Sequence, residues 1–435
     1  MSRADAELVA RDRALPGLAV LLDPARFAST LAASLRDAGA DDAVGGADLV
    51  YLRYKPETSC LAAYRVDVGG RTVHVHAKAH AAHDGAKYAK ARERLGRHDG
   101  GLGVSGVAWD DVLVAVRGFP NDLVLRRLPK VATTSERRQR FLTRVAPDIP
   151  SLWAAELDVL KYKAERRFVA RLDVAGRPQA LLKLYGAGDF LRARAGLRSV
   201  ADVDGVGATR LLGGSRSAGA LLTSWHAGVP LHDLEGEADV LAAAGRAAGA
   251  SLRRLHRRPS DALAGAGRWR HARAVLAAGE AVAFLVPPLA PRVRRLAADV
   301  VAEIDLRASE HVALHGDFSS DQVIVAPGGT VTVIDFDEAA LGPSGVDLGT
   351  FIAQLERDRT LGRSPPERAE SLGSAVMEGY GSTPDGIGTF VAAGILRLAP
   401  HVFRERDDAW PERTEAVVAT AERAAARSDS VGIGS

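Results

Sequence analysis

A strand pattern that occurs twice sets the strongest limit on what this chain can fold into. Leu52-Arg-Tyr-Lys-Pro-Glu57 leads into the apolar run Cys60–Val68, a turn at Gly69-Gly70-Arg71, and the alternating run Thr72–Lys78. From 108 residues later, Leu160-Lys-Tyr-Lys-Ala-Glu165 leads to Phe168–Val174, a turn at Gly176-Arg177-Pro178, and Ala180–Lys183. With two short gaps, Tyr54 answers to Tyr162, Lys55 to Lys163, Glu57 to Glu165 and Lys78 to Lys183. Each stretch predicts three antiparallel strands with a lysine ending the third. Internal repetition changes the domain count, so it comes first; two unrelated meanders are the other reading. Between the stretches lies the Arg-rich helical segment Thr133–Val145, closed by Pro147 and Pro150, which predicts a domain boundary there.

The remaining segments are mostly helical. Residues 24–40 predict an amphipathic helix, 85–95 a helical segment after the first lysine, and 189–200 a helix after the second. Ala14–Leu22 is apolar but leads into Asp23-Pro24 without a small-residue cleavage site, which predicts a short buried element rather than a signal peptide. Strands are expected around residues 208–212 and 218–225, and helices from Leu231 onward, broken by a β-rich island at Val312–Ile334. The Gly- and Ser-rich tail 429–435 predicts disorder.

With 435 residues and 47% apolar content, the chain can bury a large core in two or three domains. Its single cysteine, Cys60, excludes an intrachain disulfide and a multi-cysteine metal site. No apolar run reaches the ~20 residues that span a bilayer, and a cytoplasmic location is expected. Charge is uneven: residues 1–229 carry 35 Lys and Arg against 25 Asp and Glu, and residues 230–435 carry 22 against 29. That suits an anionic ligand in the first part and a cationic one in the second, although scattered solvated charge gives the same counts. Only eight of the 57 basic residues are lysines, the last being Lys183, so a lysine kept here is a candidate point-charge ligand.

The chemistry concentrates in the island. It reads His315-Gly-Asp-Phe-Ser-Ser-Asp-Gln322, an apolar strand to Val325, a turn at Pro327-Gly-Gly-Thr330, and Val331-Thr-Val-Ile-Asp335-Phe-Asp337. A hairpin would gather Asp317, Gln322 and Asp335 at one end. Phosphoryl transfer needs such a set: a carboxylate to orient a hydroxyl and take its proton, and oxygen donors to hold Mg²⁺ against ATP phosphates. Gly101-Leu-Gly-Val-Ser-Gly106 fits a dinucleotide-loop pattern but neither follows a clear strand nor opens a helix. The run Arg253, Arg254, Arg257, Arg258 reads as a solvated helix face rather than a nucleic-acid patch.

His315-Gly316-Asp317, Ile334-Asp335-Phe336 and Asp347-Leu348-Gly349, in this order and spacing, resemble the aminoglycoside phosphotransferase and choline kinase-like superfamily over roughly residues 150–425. The resemblance implies an α+β, two-lobed protein-kinase-like fold, with a small β-rich N-lobe and a mostly helical C-lobe, preceded here by an extra N-terminal α/β domain. It implies Asp317 as catalytic base, Asp335 and Gln322 as Mg²⁺ ligands, and His315 and Asp347 as residues holding the loop. Lys183 would contact ATP, and Ser224, Trp225 and His226 would form the hinge that receives the adenine.

Three departures from that pattern stand out. Gln322 replaces the usual Asn and is similar to maltokinase- and glucosamine kinase-like members. No Glu follows Lys183 at the spacing of a lysine-orienting partner, whereas Glu93 stands 15 residues after Lys78. The turn after Lys163 lacks glycine, and its Arg166 and Arg167 either bind phosphate or are merely solvated.

The sequence therefore predicts residues 1–150 as an N-terminal domain that is a degenerate copy of the small lobe, 151–228 as N-lobe, and 229–428 as C-lobe. Chain order makes Lys183, not Lys78, the ATP lysine. The expected reaction is ATP- and Mg²⁺-dependent phosphorylation of a small polar acceptor, an amino sugar or aminoglycoside, with no nucleic-acid or membrane partner. A neutral sugar acceptor and a non-catalytic nucleotide-binding protein are the alternatives. Glu356, Asp358 and Glu378, on helices after Asp347, are the acceptor-binding candidates.

Overall fold

Alternation along Arg71–His80 shows how the N-terminal sheet is built: Val73, Val75, Ala77 and Ala79 are buried on one face, and His74, His76, Lys78 and His80 project from the other. The computed structural model describes residues 1–40, 42–200, 209–258, 263, 271–306 and 311–429. The strands are β1 (Val44–Lys55), β2 (Ser59–Val68), β3 (Arg71–His80), β4 (Val107–Trp109) and β5 (Val114–Gly118), then β6 (Glu156–Lys163), β7 (Arg167–Val174), β8 (Arg177–Tyr185), β9 (Leu211–Ser215) and β10 (Ala220–Ser224). They form two five-stranded sheets of the same order, β1-β2-β3-β5-β4 and β6-β7-β8-β10-β9.

The correspondence reaches single residues. Lys78 pairs across the ladder with Leu61, the third residue of β2, and Lys183 with Val169, the third residue of β7. Both first turns close with the same hydrogen bond, Thr58 N–H to Lys55 O and Arg166 N–H to Lys163 O. Glu57 and Glu165 both take positive φ, 54° and 55°. In each copy one upstream carboxylate holds the turn. Asp12 Oδ2 accepts the Tyr54 hydroxyl (2.6 Å) and Glu57 N–H (3.0 Å); Asp122 Oδ2 accepts the Tyr162 hydroxyl (2.8 Å) and Glu165 N–H (2.8 Å).

The described chain forms two compact units. One holds Met1–Ala187 with Gly213–Leu222, and the other Gly188–Leu212 with Thr223–Ser435. The first sheet and most of the second fall in the first. In that unit the helix Pro24–Asp37 covers the first sheet, with Phe27 stacked on Tyr64 (3.8 Å between centroids) and Trp109 Nε1 donating to Ser34 Oγ (2.8 Å). The apolar stretch near residue 20 is the short buried helix Leu18–Leu22, and Cys60 is buried and unbridged.

Glu93 does not partner Lys78. It is exposed, and Lys78 Nζ instead donates to Glu165 on the β6–β7 turn. A spacing rule cannot see this contact, because it joins residues 87 positions apart.

The second unit is mainly helical. Its strands are β11 (Val229–Pro230), β12 (Val312–Leu314), β13 (Val323–Val325), β14 (Val331–Val333) and β15 (Ala340–Gly342), in the sheets β11-β13-β14 and β12-β15. β13 and β14 form the expected hairpin, in the register Val323↔Val333, Ile324↔Thr332 and Val325↔Val331. Phe318, Phe336, Leu348 and Phe351 pack beneath it in the core, fully buried. No described helix is long and apolar enough to cross a membrane. The tail from residue 430 lies outside the described residues.

Candidate active site

Apolar residues at β12, β13 and β14 force the intervening polar segments to one end of the hairpin. His315, fully buried, ties these segments together. Its Nε2 lies 2.8 Å from Ile334 O and must donate there, so Nδ1 is free to accept the Asp317 N–H at 3.3 Å. One imidazole thus joins the loop carrying Asp317 to the strand end before Asp335. Gln322 closes the arrangement through its backbone, its carbonyl accepting Ile334 N–H (2.9 Å).

Asp347 holds His315 and Gly316 from below. It opens the helix Gly345–Thr360, and its carboxylate is completely buried. Oδ2 accepts His315 N–H (2.7 Å) and His256 Nε2 (3.0 Å), and Oδ1 accepts Gly316 N–H (2.8 Å). Burial alone would raise its pKa, but the His256 hydrogen bond and charge, with His315 and its backbone N–H, hold it below the ordinary carboxylate value. The other ring nitrogen of His256, Nδ1, lies 2.9 Å from the Tyr380 hydroxyl.

Two backbone positions make the loop specific. Gly316 has φ +82°, and a Cβ there would lie 2.0 Å from Glu338 O. Asp335 sits in the left-handed region, φ 66°, at the start of the 3₁₀ turn Phe336–Glu338. Short polar residues tolerate that conformation better than others, and it turns the chain sharply away from β14.

Four residues essential to this scaffold escaped sequence reasoning. Gln354 accepts Ser320 N–H (3.1 Å) and Oγ (3.3 Å) while donating to Asp321 (2.9 Å), so it fastens the loop to the Gly345–Thr360 helix. His256 and Tyr380 come from helices 91 and 33 residues from Asp347, in no recognisable motif. Arg397, half-buried in the helix Ile387–Leu398, has its pKa lowered by burial, while Asp317, Glu338 and Asp347 act in the opposite sense. It is a cation in the field of the Asp317 loop, from a helix 80 residues further along the chain, which spacing does not reveal.

The helix Ala187–Ser199 lacks the glutamate sought as a partner for Lys183. Its Arg192 instead bonds Glu338 (2.7 Å) and Asp189. Gly196 lets the helix approach so closely that a Cβ would lie 1.9 Å from Phe336 O. Through these two contacts the helix braces the turn that follows Asp335.

Lys183 is buried on β8 in the first unit. Ser224 ends β10; its Oγ accepts Arg210 N–H (3.0 Å) and bonds His226 Nε2 (2.9 Å), leaving Trp225 between them. Burial first, and Arg210 second, lower the His226 pKa. Glu356 pairs with Arg359 and lines a cavity of about 620 Å³ together with Asp385, Arg423 and Arg427. Asp358, 3% exposed, is held by Arg357 (2.8 and 3.1 Å), and Glu378 is an exposed side chain 3.5 Å from Arg246.

Residues 149–387, over half the chain, match the model of the phosphotransferase enzyme family. The chain belongs to this family. No curated protein matches it. Among solved structures, this phosphotransferase is similar to a choline/ethanolamine kinase family protein from Mesorhizobium loti (15% identity, 67% of this chain and 98% of that one, TM-score 0.46). It is also similar to an aminoglycoside phosphotransferase from Streptomyces rimosus (19%, 64% and 97%, TM-score 0.40) and to an ethanolamine kinase from Plasmodium vivax (11%, 70% and 95%, TM-score 0.48). The phosphotransferase has the mixed α+β, kinase-like fold of its family, a β-rich unit and a helical one, and its first 148 residues lie outside the family match.

Proposed function

We propose that this phosphotransferase moves the γ-phosphoryl group of ATP to a hydroxyl of a small polar acceptor, an amino sugar or aminoglycoside. The observation that carries the reading is His315, which spans the Asp317 loop and the strand end before Asp335 by two hydrogen bonds of one buried ring. Asp317 is the base that orients the acceptor hydroxyl and takes its proton. Asp335 and the Gln322 amide offer hard oxygen donors of the kind Mg²⁺ prefers, so this pair fits the metal. When bound, Mg²⁺·ATP supplies the phosphoryl group and offsets charge on its phosphates. Lys183 binds phosphate and Ser224, Trp225 and His226 form the adenine hinge. In this scheme residues 151–228 are the working N-lobe, 229–428 the catalytic lobe, and 1–150 a degenerate copy of the N-lobe. An ATP-dependent reaction also suits the cytoplasmic location expected.

A second acceptor class, a neutral sugar, is favoured by one feature: Gln322 stands where the superfamily usually has Asn, as in maltokinase-like members.

The test is ATP turnover across amino sugars, aminoglycosides and neutral sugars, with Asp317→Asn and Asp335→Ala alongside the wild type. Asp317→Asn should retain nucleotide binding and lose on the order of 10²–10⁴ in turnover, the range of a general base. Asp335→Ala should remove the Mg²⁺ dependence of nucleotide binding. Near-normal turnover by Asp317→Asn sinks the assignment, and ATP binding without turnover on any acceptor makes the protein a non-catalytic nucleotide binder.

A further inference from the structure

The first sheet carries a row of basic side chains on one face. His76 and Arg117 are direct partners across β3 and β5, and Lys78 lies two residues along between Leu61 and Ala115. This face is buried: His76 and Arg117 are each 1% exposed and His80 5%. The tip of the β6–β7 hairpin covers it. Tyr162 meets the His76 ring edge-on at 6.3 Å and Phe119 at 5.2 Å, and the Glu165 carboxylate bonds Lys78 Nζ with Arg53 Nη2 3.7 Å away.

The two copies differ here in an instructive way. Asp12 and Asp122 fix the same turn shape, through the tyrosine hydroxyl and the glutamate N–H. That shape needs no carboxylate contact, since Glu57 makes the same turn with its side chain exposed. Glu165, by contrast, has only 3% of its side chain exposed, and its Oε1 has no hydrogen-bond partner. Its burial is tolerable because Lys78, Arg53 and Arg117 oppose its charge. Taking away Lys78 removes the one cation that hydrogen-bonds Glu165 and leaves Arg53, 3.7 Å away, as its nearest charge partner, so the turn loses its main anchor.

The β6–β7 turn is also the one that carries Arg166, exposed, and Arg167, half-buried, and it contains no glycine. A turn without glycine cannot adapt its backbone to a phosphate and must instead be placed correctly beforehand. We propose that Lys78 is a positioning residue for the nucleotide: through Glu165 it sets the β6–β7 turn so that Arg166 and Arg167 meet the phosphates of ATP. This rests on the reading of the chain as an ATP-dependent phosphotransferase. Lys78 touches no phosphate itself. The face on which a second nucleotide would sit is filled by Tyr162 and Glu165, so the N-terminal copy acts on the one site rather than adding another.

The experiment uses the full-length chain as wild type, Lys78→Met, Lys78→Arg and Glu165→Gln. ATP·Mg²⁺ binding is measured by calorimetry, which needs no acceptor. KM for ATP and kcat are measured with whichever acceptor turns over, and melting temperature is followed in parallel. Lys78→Met and Glu165→Gln should each weaken ATP binding about tenfold with kcat at saturating ATP nearly kept, and Lys78→Arg should recover most of the affinity. Should Lys78→Met fail to fold, Glu165→Gln carries the same expectation. Unchanged ATP affinity with a lowered melting temperature overturns the proposal, because the pair would then be structural only. Wild-type binding without turnover, with the affinity pattern intact, supports the positioning role and sinks the catalytic reading; wild type that binds no ATP overturns both.

Discussion

Asp347 shows how much one residue can hold. It accepts three hydrogen bonds in a site closed to water, two from the backbone of the loop and one from His256. A carboxylate suits this because it only accepts. In Asp347→Asn one of the two oxygens becomes an NH₂ group that faces a donor. The substitution should cost about 1–3 kcal/mol, the penalty for leaving a buried donor unsatisfied, and turnover should fall because the loop beneath Asp317 is released. Denaturant midpoints and turnover for Asp347→Asn check this, with His256→Phe as the milder comparison that removes only the side-chain donor. A wild-type midpoint in Asp347→Asn would show that the loop is held by other means. Asp347 itself was legible, since its Asp-Leu-Gly context comes at the right distance after Asp335. His256 was not, because its contact depends on a helix crossing rather than on any local pattern.

Among elements, the helix Ala187–Ser199 was predicted nearly at its observed bounds, yet its role was not. It holds no glutamate that could face Lys183. The helix instead gives Arg192 to Glu338 and brings Gly196 against the Phe336 carbonyl, 1.9 Å from where a Cβ would sit. The neighbouring glycine in the same helix, Gly188, has nothing within 4 Å of a Cβ. The two positions therefore predict opposite results for one substitution. Gly196→Ala should push the helix off the turn after Asp335, destabilising the protein by about 1–3 kcal/mol, as overpacking does, and lowering turnover. Gly188→Ala should be neutral or stabilise by up to about 1 kcal/mol through helix propensity. Melting curves of the two variants decide it; equal behaviour would mean that the helix does not press on that turn. Alternation and lysine placement likewise mark the first three strands of each sheet but not β4 and β5, and the partner of Lys78 could not be read, because Glu93 has the right spacing and Glu165 the right position in space.

For the whole molecule, the burial of a basic face inside the β-rich unit has a consequence for acid stability. The His80 pKa is pushed down to about 4 by burial first and by Lys78 second. His76 moves in the same direction, again chiefly through burial. Both are therefore neutral in the folded protein at neutral pH. The unfolded chain binds a proton at each near the ordinary value of 6.5, and the folded chain refuses it until the pH is far lower. The stabilisation is complete above about pH 6.5 and is lost as the pH falls from there toward the folded values. Glu165 acts in the same sense further down. Burial, the largest influence, would raise its pKa, but the charge and hydrogen bond of Lys78 together with its other neighbours hold it below the ordinary 4.5, so its contribution disappears as acid protonates it. The urea midpoint of the wild type should be nearly level from about pH 8 to 6.5 and then fall steeply, each fully neutral histidine adding a slope of up to about 1.4 kcal/mol per pH unit. His80→Gln should lower the midpoint at neutral pH, where it disturbs packing, yet flatten the fall below pH 6.5, where one proton fewer is taken up on unfolding. A wild-type midpoint that stays level from about pH 6.5 to 5 would show that this face is open to protons in the folded state, and the covering of the first sheet by the β6–β7 turn would then have to be looser than the Lys78–Glu165 pair requires.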